Sequence, residues 1–551
     1  MEKEIKINLS TLLFRKVSRL IQSRILTILI IFLSVISIGA FIIYYFNGLG
    51  LSYNDARSHL DIGRRVVEGL KPGMAQLGSV WLPLPHVLMI PTVWNDFFWH
   101  SGLSGAIISM ISYVATSALI YLILRILGVG LLGRIIGVLI FALNLNILYL
   151  QSTAMTELLL IATMTAASYY LMLWARSAKI IDLIKSAFWV MLSTLTRYDG
   201  WFLFLTSAGA VSWITFFSGR FSLSMLKSSF KQRFQKTEGL FILFCTLGGL
   251  GIALWFLWNQ LIFKDFLYFA FGPYSARSQQ KELEIAGDLI TKSNWSASTR
   301  AYLYALFYNV GTFTVLLSAV GYLFLWLDKN LLNKVKVASL TLLAPLIFNI
   351  IALYLGHSVL FIQGVNGDTW FNVRYGITLI PAVAIAIGLL VDRLSNLRVV
   401  IIGLLAFVTF FSYTSFDAVT IDDARVGSSQ KNVREVSGWL ALNAKTKEGF
   451  ILISAASHDA IIFSSGLPMS RFIHEGTGKY WESGTTTPKH WARWIVMRTY
   501  DNNDSTYKAV SKTPDFENYN LVAKYPFADI YELKDEFLPF LNTKPTLGKQ
   551  K

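Results

Sequence analysis

The sequence predicts a polytopic α-helical membrane protein of about eleven transmembrane helices, closed by a small C-terminal α/β domain. Three observations carry that reading. Hydrophobic residues make up 54% of the 551 residues and charged residues only 15%, against about 25% charged in an ordinary water-soluble domain, and the mean hydropathy is +0.51. Apolar runs of roughly 20 residues, each long enough to cross a bilayer as a helix, recur along the first three quarters of the chain. From about Phe416 the pattern turns to balanced charge and short elements of soluble type.

The net charge of +16 invites a nucleic-acid reading, so its location matters. Of the 49 Lys and Arg, 17 lie from Asp417 onward together with 16 of the 33 acids, so the surplus, 32 against 17, belongs to the preceding part. Basic residues beside spans follow from the positive-inside rule and from anionic headgroups. The expected contacts are therefore membrane lipids and not nucleic acid. The single cysteine, Cys245, excludes an intrachain disulfide and a cysteine metal cluster.

Spans are expected to begin near Ile25, Gly105, Ile135, Leu158, Ile184, Trp201, Leu240, Ala301, Ala338, Ile377 and Val399. The first follows a basic stretch from Lys3 to Arg24 and lacks a small-residue cleavage site, so it reads as a retained helix. Arg15, Lys16, Arg19 and Arg24 before it, Lys227, Lys231, Arg233 and Lys236 in one later loop, and Lys329, Lys334 and Lys336 in another all fall on one side. That side is cytoplasmic by the positive-inside rule. A multi-pass protein of the plasma membrane then has its N-terminus inside, and the loops from Asn47 and Phe263 and the segment after Phe416 outside. The segment Leu183 to Leu195 is short for a crossing. Lys179 and Lys185 on one side and Arg220 on the other predict a helical hairpin with Arg197, Tyr198 and Asp199 at its outer tip, a re-entrant pair being the alternative. In the C-terminal segment, Asn432–Asn443 reads as a helix, Phe450–Ser454 and Arg493–Met497 as buried strands, and Leu521–Tyr525 with Ile530–Leu533 as a closing pair. The domains are accordingly 1–416 and 417–551.

The first outer loop is the most informative stretch, with Ser52-Tyr53-Asn54-Asp55-Ala56-Arg57-Ser58-His59 followed by Trp81-Leu82-Pro83-Leu84-Pro85-His86. Between them the stretch from Asp61 to Leu70 has helical spacing; Leu60, Ile62, Val66, Val67 and Leu70 can share one face of a short helix with Arg57, Arg64, Arg65 and Glu68 on the other, which suits a helix lying in the interface. Asp55 is held close to the membrane surface; its structural alternative is a helix N-cap. Glu157 sits at the outer turn before the fourth span, where a first-turn acid also complements a helix dipole. Arg197 and Asp199 equally suit a pair that fixes a turn, and Arg374, in Asn372-Val373-Arg374-Tyr375-Gly376, a snorkelling interfacial Arg. His59 lies four residues after Asp55, but two candidate ligands do not make a metal site. His458 and Asp459 lack a Gly-x-Ser-x-Gly partner and read as structural, and Gly272 to Arg277 as a surface turn.

What raises these residues above their structural readings is coincidence: Asp55, Glu157, Arg197 and Arg374 come from four parts of the chain and all fall at the outer interface. Arg matches phosphate oxygens in bidentate fashion, and a carboxylate near hydroxyls serves as a general base. The set suits chemistry with a phosphate leaving group.

With its acidic motif just past the first span, interfacial helices, a second acid between spans three and four and an extracytoplasmic C-terminal domain, the chain resembles the GT-C superfamily of polyprenyl-phosphate-dependent glycosyltransferases. Protein O-mannosyltransferases and the lipid A aminoarabinose transferase are most similar in character. The resemblance covers about the first 416 residues in architecture; where those relatives carry an Asp-Glu pair, this chain reads Asn54-Asp55, leaving one acid in the motif. It implies a membrane enzyme that takes a sugar from a polyprenyl phosphate and passes it to a hydroxyl of a protein, lipid or glycan at the outer face, by single inverting displacement. Asp55 is then the base, Glu157 its catalytic neighbour, and Arg374 and Arg197 the phosphate contacts. Arg57, His59, Tyr198, Asp199 and Tyr375 are expected to complete the substrate site. No cofactor is implied with certainty, and transfer without a divalent metal is the favoured expectation. The competing class is a transporter or flippase of lipid-linked sugars, disfavoured by the few midspan charges and the missing half-and-half symmetry. A non-catalytic scaffold presenting the C-terminal domain is a third.

Overall fold

The computed structural model describes residues 2–217, 223–272, 275–426 and 433–546, and side chains there except at 2–23, 223–229, 279, 282 and 457. Among the described residues, six helices are long and apolar enough to cross a membrane: Arg24–Phe46, Leu103–Ile126, Glu157–Ser177, Asn333–Tyr354, Val373–Arg393 and Arg398–Val426. Two bent pairs, Phe230–Gly248 with Leu250–Phe263 and Trp295–Val310 with Thr312–Leu327, raise the number to eight if each pair is one span. The chain is a multi-pass membrane protein on this count.

Six to eight spans by this measure leave the expected count of about eleven unconfirmed, and three of the expected spans are shorter helices. The runs near Ile135, Ile184 and Trp201 are the helices Leu131–Ala142, Ile180–Thr194 and Asp199–Phe216, of 12, 15 and 18 residues. At 1.5 Å per residue the first reaches only about 18 Å. Hydropathy counts apolar residues and is blind to breaks: Asn144, whose side chain accepts from Ile147 N at 3.0 Å, starts a new short helix and ends the run. Arg220, invoked for one side of the hairpin, lies outside the described residues.

The two most enclosed spans are Val373–Arg393 and Glu157–Ser177, while Arg24–Phe46 and Arg398–Val426 stand at the periphery. After the first helix, α1 (Glu2–Phe46), the chain forms α2 (Asn54–Val67), α3 (Leu84–Val93) and α4 (Asp96–His100). The interfacial reading of this stretch does not hold for α2. Asp61 and Arg64 are buried and Val67 is exposed, because α2 is sandwiched between α3 and the helix Ala455–Ser465 of the C-terminal part. Nor is Asp55 a cap. Tyr53 occupies that position without a side-chain bond, which leaves the Asp55 carboxylate, in the first turn, free for other partners.

The C-terminal part folds around a five-stranded sheet of order β2-β1-β3-β5-β4. Its strands are β1 (Phe450–Ile453), β2 (Phe472–Ile473), β3 (Ala492–Met497), β4 (Tyr519–Lys524) and β5 (Asp529–Leu533). β1 runs parallel to β2 and β3, and β5 closes antiparallel on β3, with Trp494 opposite Glu532. β1 is buried along its whole length, as a central parallel strand requires. The two-residue β2 carries no period to read. Leu70, just after α2, packs into this domain's core with Phe450 and Ile473, and Gln76 Nε2 donates to Gly476 O at 2.7 Å. The sheet domain is thus seated on the first loop.

Candidate active site

The two innermost spans present their first residues at one end of the bundle. Glu157 opens one, and Arg374 is the second residue of the other. Arg374 is placed by an unusual turn: Asn372 adopts φ 58°, a conformation Asn tolerates, and its side chain donates to Val359 O at 2.9 Å. At Gly376 a Cβ would stand 2.5 Å from Ala305 O, so only glycine lets the helix Trp295–Val310 lie against this turn.

From there Arg374 reaches three acids. Nη2 donates to Asp55 Oδ2 at 2.5 Å, Nε donates to Glu157 Oε1 at 3.0 Å, and Nη1 stands 4.0 Å from Asp423 Oδ2. Its guanidinium carbon is 4.9 Å from the Tyr53 ring centre. Arg197 approaches Glu157 from the other side, its Nη1 donating to Glu157 Oε1 at 3.1 Å and to Thr156 Oγ1 at 3.2 Å. It sits at the tip between Ile180–Thr194 and Asp199–Phe216, 3.5 Å from Asp199 Oδ2. That tip closes because residue 200 is glycine; a Cβ there would meet Ser193 O at 2.2 Å. The Tyr375 ring faces both guanidiniums, at 5.3 and 5.6 Å.

Four predicted residues from four parts of the chain therefore form one ion-pair network, with Asp199 and Tyr375 attached. Its exposure is graded. The side chains of Glu157, Arg374, Arg197 and Asp55 are 0%, 4%, 20% and 36% accessible. Glu157 is enclosed between two cations, the arrangement a buried carboxylate needs, so the part it can play is to hold them. Asp55 is the open end.

Other expected residues lie apart from the network. Arg57 donates to Asn54 Oδ1 at 3.3 Å, and Tyr198 turns away to donate to Val80 O at 2.9 Å and stacks on Phe269. His59 pairs with His86, Nδ1 to Nε2 at 2.9 Å, with Trp81 packed on its ring at 4.4 Å. Burial pushes His59 down to about 4, so it is neutral at physiological pH. Among the described residues no three His, Cys, Asp or Glu side chains are grouped to hold a metal ion. Pro273 and Tyr274 of the Gly272 to Arg277 turn lie outside the described residues. His458 faces Asp504 at 3.2 Å, and Asp459 faces Arg65.

Sequence reasoning missed Asp423. It lies in the short helix Val419–Val426 and accepts from Tyr53 OH at 3.0 Å. That helix is tied down by Thr420, whose carbonyl accepts from the same hydroxyl at 2.9 Å and whose N–H donates to Asn146 Oδ1 at 3.0 Å. The available signal was topological: Asp423 closes the last span, Arg398–Val426, at the same end at which Asp55 follows the first.

The bundle, first loop and capping domain together make a fold that recurs among solved membrane proteins. Among solved structures, ArnT from Cupriavidus metallidurans bound to undecaprenyl phosphate superposes with a TM-score of 0.53 at 10% identity, over 91% of this chain and 98% of that one. The apo state of the same enzyme gives 0.51 at 11% identity over the same shares. The apo oligosaccharyltransferase of Archaeoglobus fulgidus is similar at 0.48 and 10% identity, over 86% of this chain and 69% of that one. No family model matches the chain, and no curated protein matches it in sequence.

Proposed function

We propose that this protein is an integral membrane glycosyltransferase that moves a sugar from a polyprenyl-phosphate donor to an acceptor hydroxyl at the outer face of the plasma membrane, with its N-terminus cytoplasmic. The observation that carries the proposal is the Asp55–Arg374–Glu157–Arg197 network, one carboxylate open and two guanidiniums beneath it, in a fold shared with an enzyme solved with undecaprenyl phosphate.

In this reading Asp55 accepts the proton of the acceptor hydroxyl as its oxygen attacks the anomeric carbon. The bond from that carbon to the phosphate oxygen breaks with its electron pair, inverting the centre and releasing polyprenyl phosphate. Protonation discharges the carboxylate that Arg374 Nη2 faces. The guanidinium is then freed for the phosphate oxygens as they gain charge, a stabilisation of the transition state over the ground state. Arg197, more accessible than Arg374, meets the phosphate first, and Glu157 fixes the spacing of both. Residues 1–416 supply this machinery. The domain at 417–551 faces the acceptor side, although Thr420 and Asp423 at its start belong to the site.

The test is turnover by purified protein in lipid across a panel of polyprenyl-phosphate sugars. Wild type consumes a donor and releases polyprenyl phosphate; Asp55→Asn binds the same donor without turning it over. Absence of turnover with every donor, alongside undiminished donor binding by both proteins, would favour a carrier of lipid-linked sugars.

A further inference from the structure

A second charged cluster lies on α2, about two turns from Asp55, and none of the proposed chemistry uses it. Asp61 is fully buried, and its Oδ1 accepts from Trp99 Nε1 at 3.0 Å. Its Oδ2 is buried without a hydrogen-bond donor, and the carboxyl that neighbours Asp61 is that of Asp459 on the helix Ala455–Ser465. Two carboxyls hydrogen-bond only through a proton that one of them carries. Arg65, one turn further along α2, pairs with Asp459 Oδ1 at 3.3 Å, both side chains being nearly enclosed. Two carboxyls, one proton and one guanidinium sum to zero charge, the condition for burying the group cheaply.

We propose that Asp61, Arg65 and Asp459 form a protonated latch through which the C-terminal domain positions α2, and with it the Asp55 carboxylate, for the transfer reaction. The inference rests on the glycosyltransferase reading for its consequence and on the contacts alone for the latch. Three further ties point the same way: Glu68 Oε1 accepts from Met469 N at 3.1 Å, Leu70 enters the domain's core, and Trp99 packs edge-on against Phe463. α2 is therefore a lever, with one end in the site and the other in the domain. Asp61, Arg65 and Asp459 are positioning residues, remote from substrate.

The groups around the latch fix its response to pH. On α2, Arg64 is occupied by Glu68, Asp96 and the carbonyls of Val93 and Trp94, and is therefore not free to pair with Asp61. On α4, Trp99 donates to Asp61, and His100 is pushed down by burial. After β2, His474 is pushed down to about 3 by burial and Arg65, and Glu475, bonded to Ser454 Oγ and Ala455 N, adds negative charge beside Asp459. Burial raises both latch carboxyls, Asp459 to about 6 and Asp61 well above the usual range, and the proximity of each to the other adds to the rise in Asp61. Acids raised in the docked state strengthen docking fully below their ordinary range near 4, and the contribution is lost as pH climbs through the raised values. The latch is thus strongest in acid and weakens as pH climbs through about 6 and beyond.

Hydrogen–deuterium exchange of the full chain in nanodiscs at pH 6 and pH 8 tests this, with rates corrected for the intrinsic pH dependence of amide exchange. Wild-type α2 amides are expected to lose protection several-fold at pH 8. Asp61→Asn, which keeps the Trp99 acceptor and supplies a permanent donor to Asp459, is expected to stay protected at both pH values. Arg65→Ala and Asp459→Ala are expected to lose protection at both. Equal α2 protection in wild type, Arg65→Ala and Asp459→Ala, with normal melting, overturns the latch, as does an Asp61→Asn profile that follows wild type. Because exchange needs no turnover, failure of the latch and failure of the glycosyltransferase reading are separable. Where turnover is found, Asp61→Asn should flatten the alkaline limb of kcat and leave the donor KM unchanged.

Discussion

The helix α2 carries two carboxylates within seven residues, and the structure treats them oppositely. Asp55 faces Arg374 and keeps about a third of its side chain open, while Asp61 is closed on every side and needs a proton to be there at all. One acid faces a guanidinium at the mouth of a site; the other is enclosed at a domain interface, where burial favours its neutral form. The same residue type on one helix thus takes an operating role or a structural one according to what encloses it. Composition and helical spacing see no difference between the two.

Substitutions that disturb the network from beneath should have the largest effect. Glu157→Ala removes the carboxylate shared by two buried guanidiniums, leaving Arg374 to Asp55 and Arg197 to Asp199, a loss of about 3–5 kcal/mol for a broken buried pair, seen as a lower Tm together with lost turnover. Glu157→Gln keeps one acceptor oxygen and should recover most of the Tm. Arg374→Ala should abolish donor turnover and weaken donor binding more than acceptor binding; equal losses on both would remove it from the phosphate. Arg197→Ala removes one charge-assisted contact of about 1.5–3 kcal/mol, and the donor KM should rise roughly 10- to 100-fold with a smaller change in kcat. The smallest effects belong to residues that the sequence grouped with the site and the structure moves away. Arg57→Ala and Tyr198→Phe each lose a single hydrogen bond of about 0.5–1.5 kcal/mol outside the network, and steady-state rates within a few-fold of wild type are expected.

What could be read in advance follows the same division. The membrane class, the order of helices and four of the five principal strands follow from periodicity and run length, which are local properties of the chain. Asp55, Glu157, Arg197 and Arg374 were legible because each breaks an apolar run at one end of the bundle, where topology alone brings such residues near each other. Where the apolar runs break was not legible, since caps such as Asn144 and bends such as that at Gly311 interrupt them without lowering their hydropathy. Nor was the environment of α2. Its amphipathic pattern fits an interface helix, and its packing between α3 and the helix Ala455–Ser465 of the distant C-terminal part buries Asp61 and Arg64. Asp423 was passed over because it stands in a stretch that reads as the start of another domain, and it enters the site through a Tyr53 contact 370 residues away in sequence.

The most direct test of the account compares Asp55→Asn with Asp61→Asn in one transfer assay at pH 6. The account predicts a loss of about 100- to 10,000-fold in kcat for the first, the scale of a removed general base, with donor binding and α2 protection intact, and a rate close to wild type for the second. Comparable turnover by the two variants, or retention of the wild-type rate by Asp55→Asn, would contradict it.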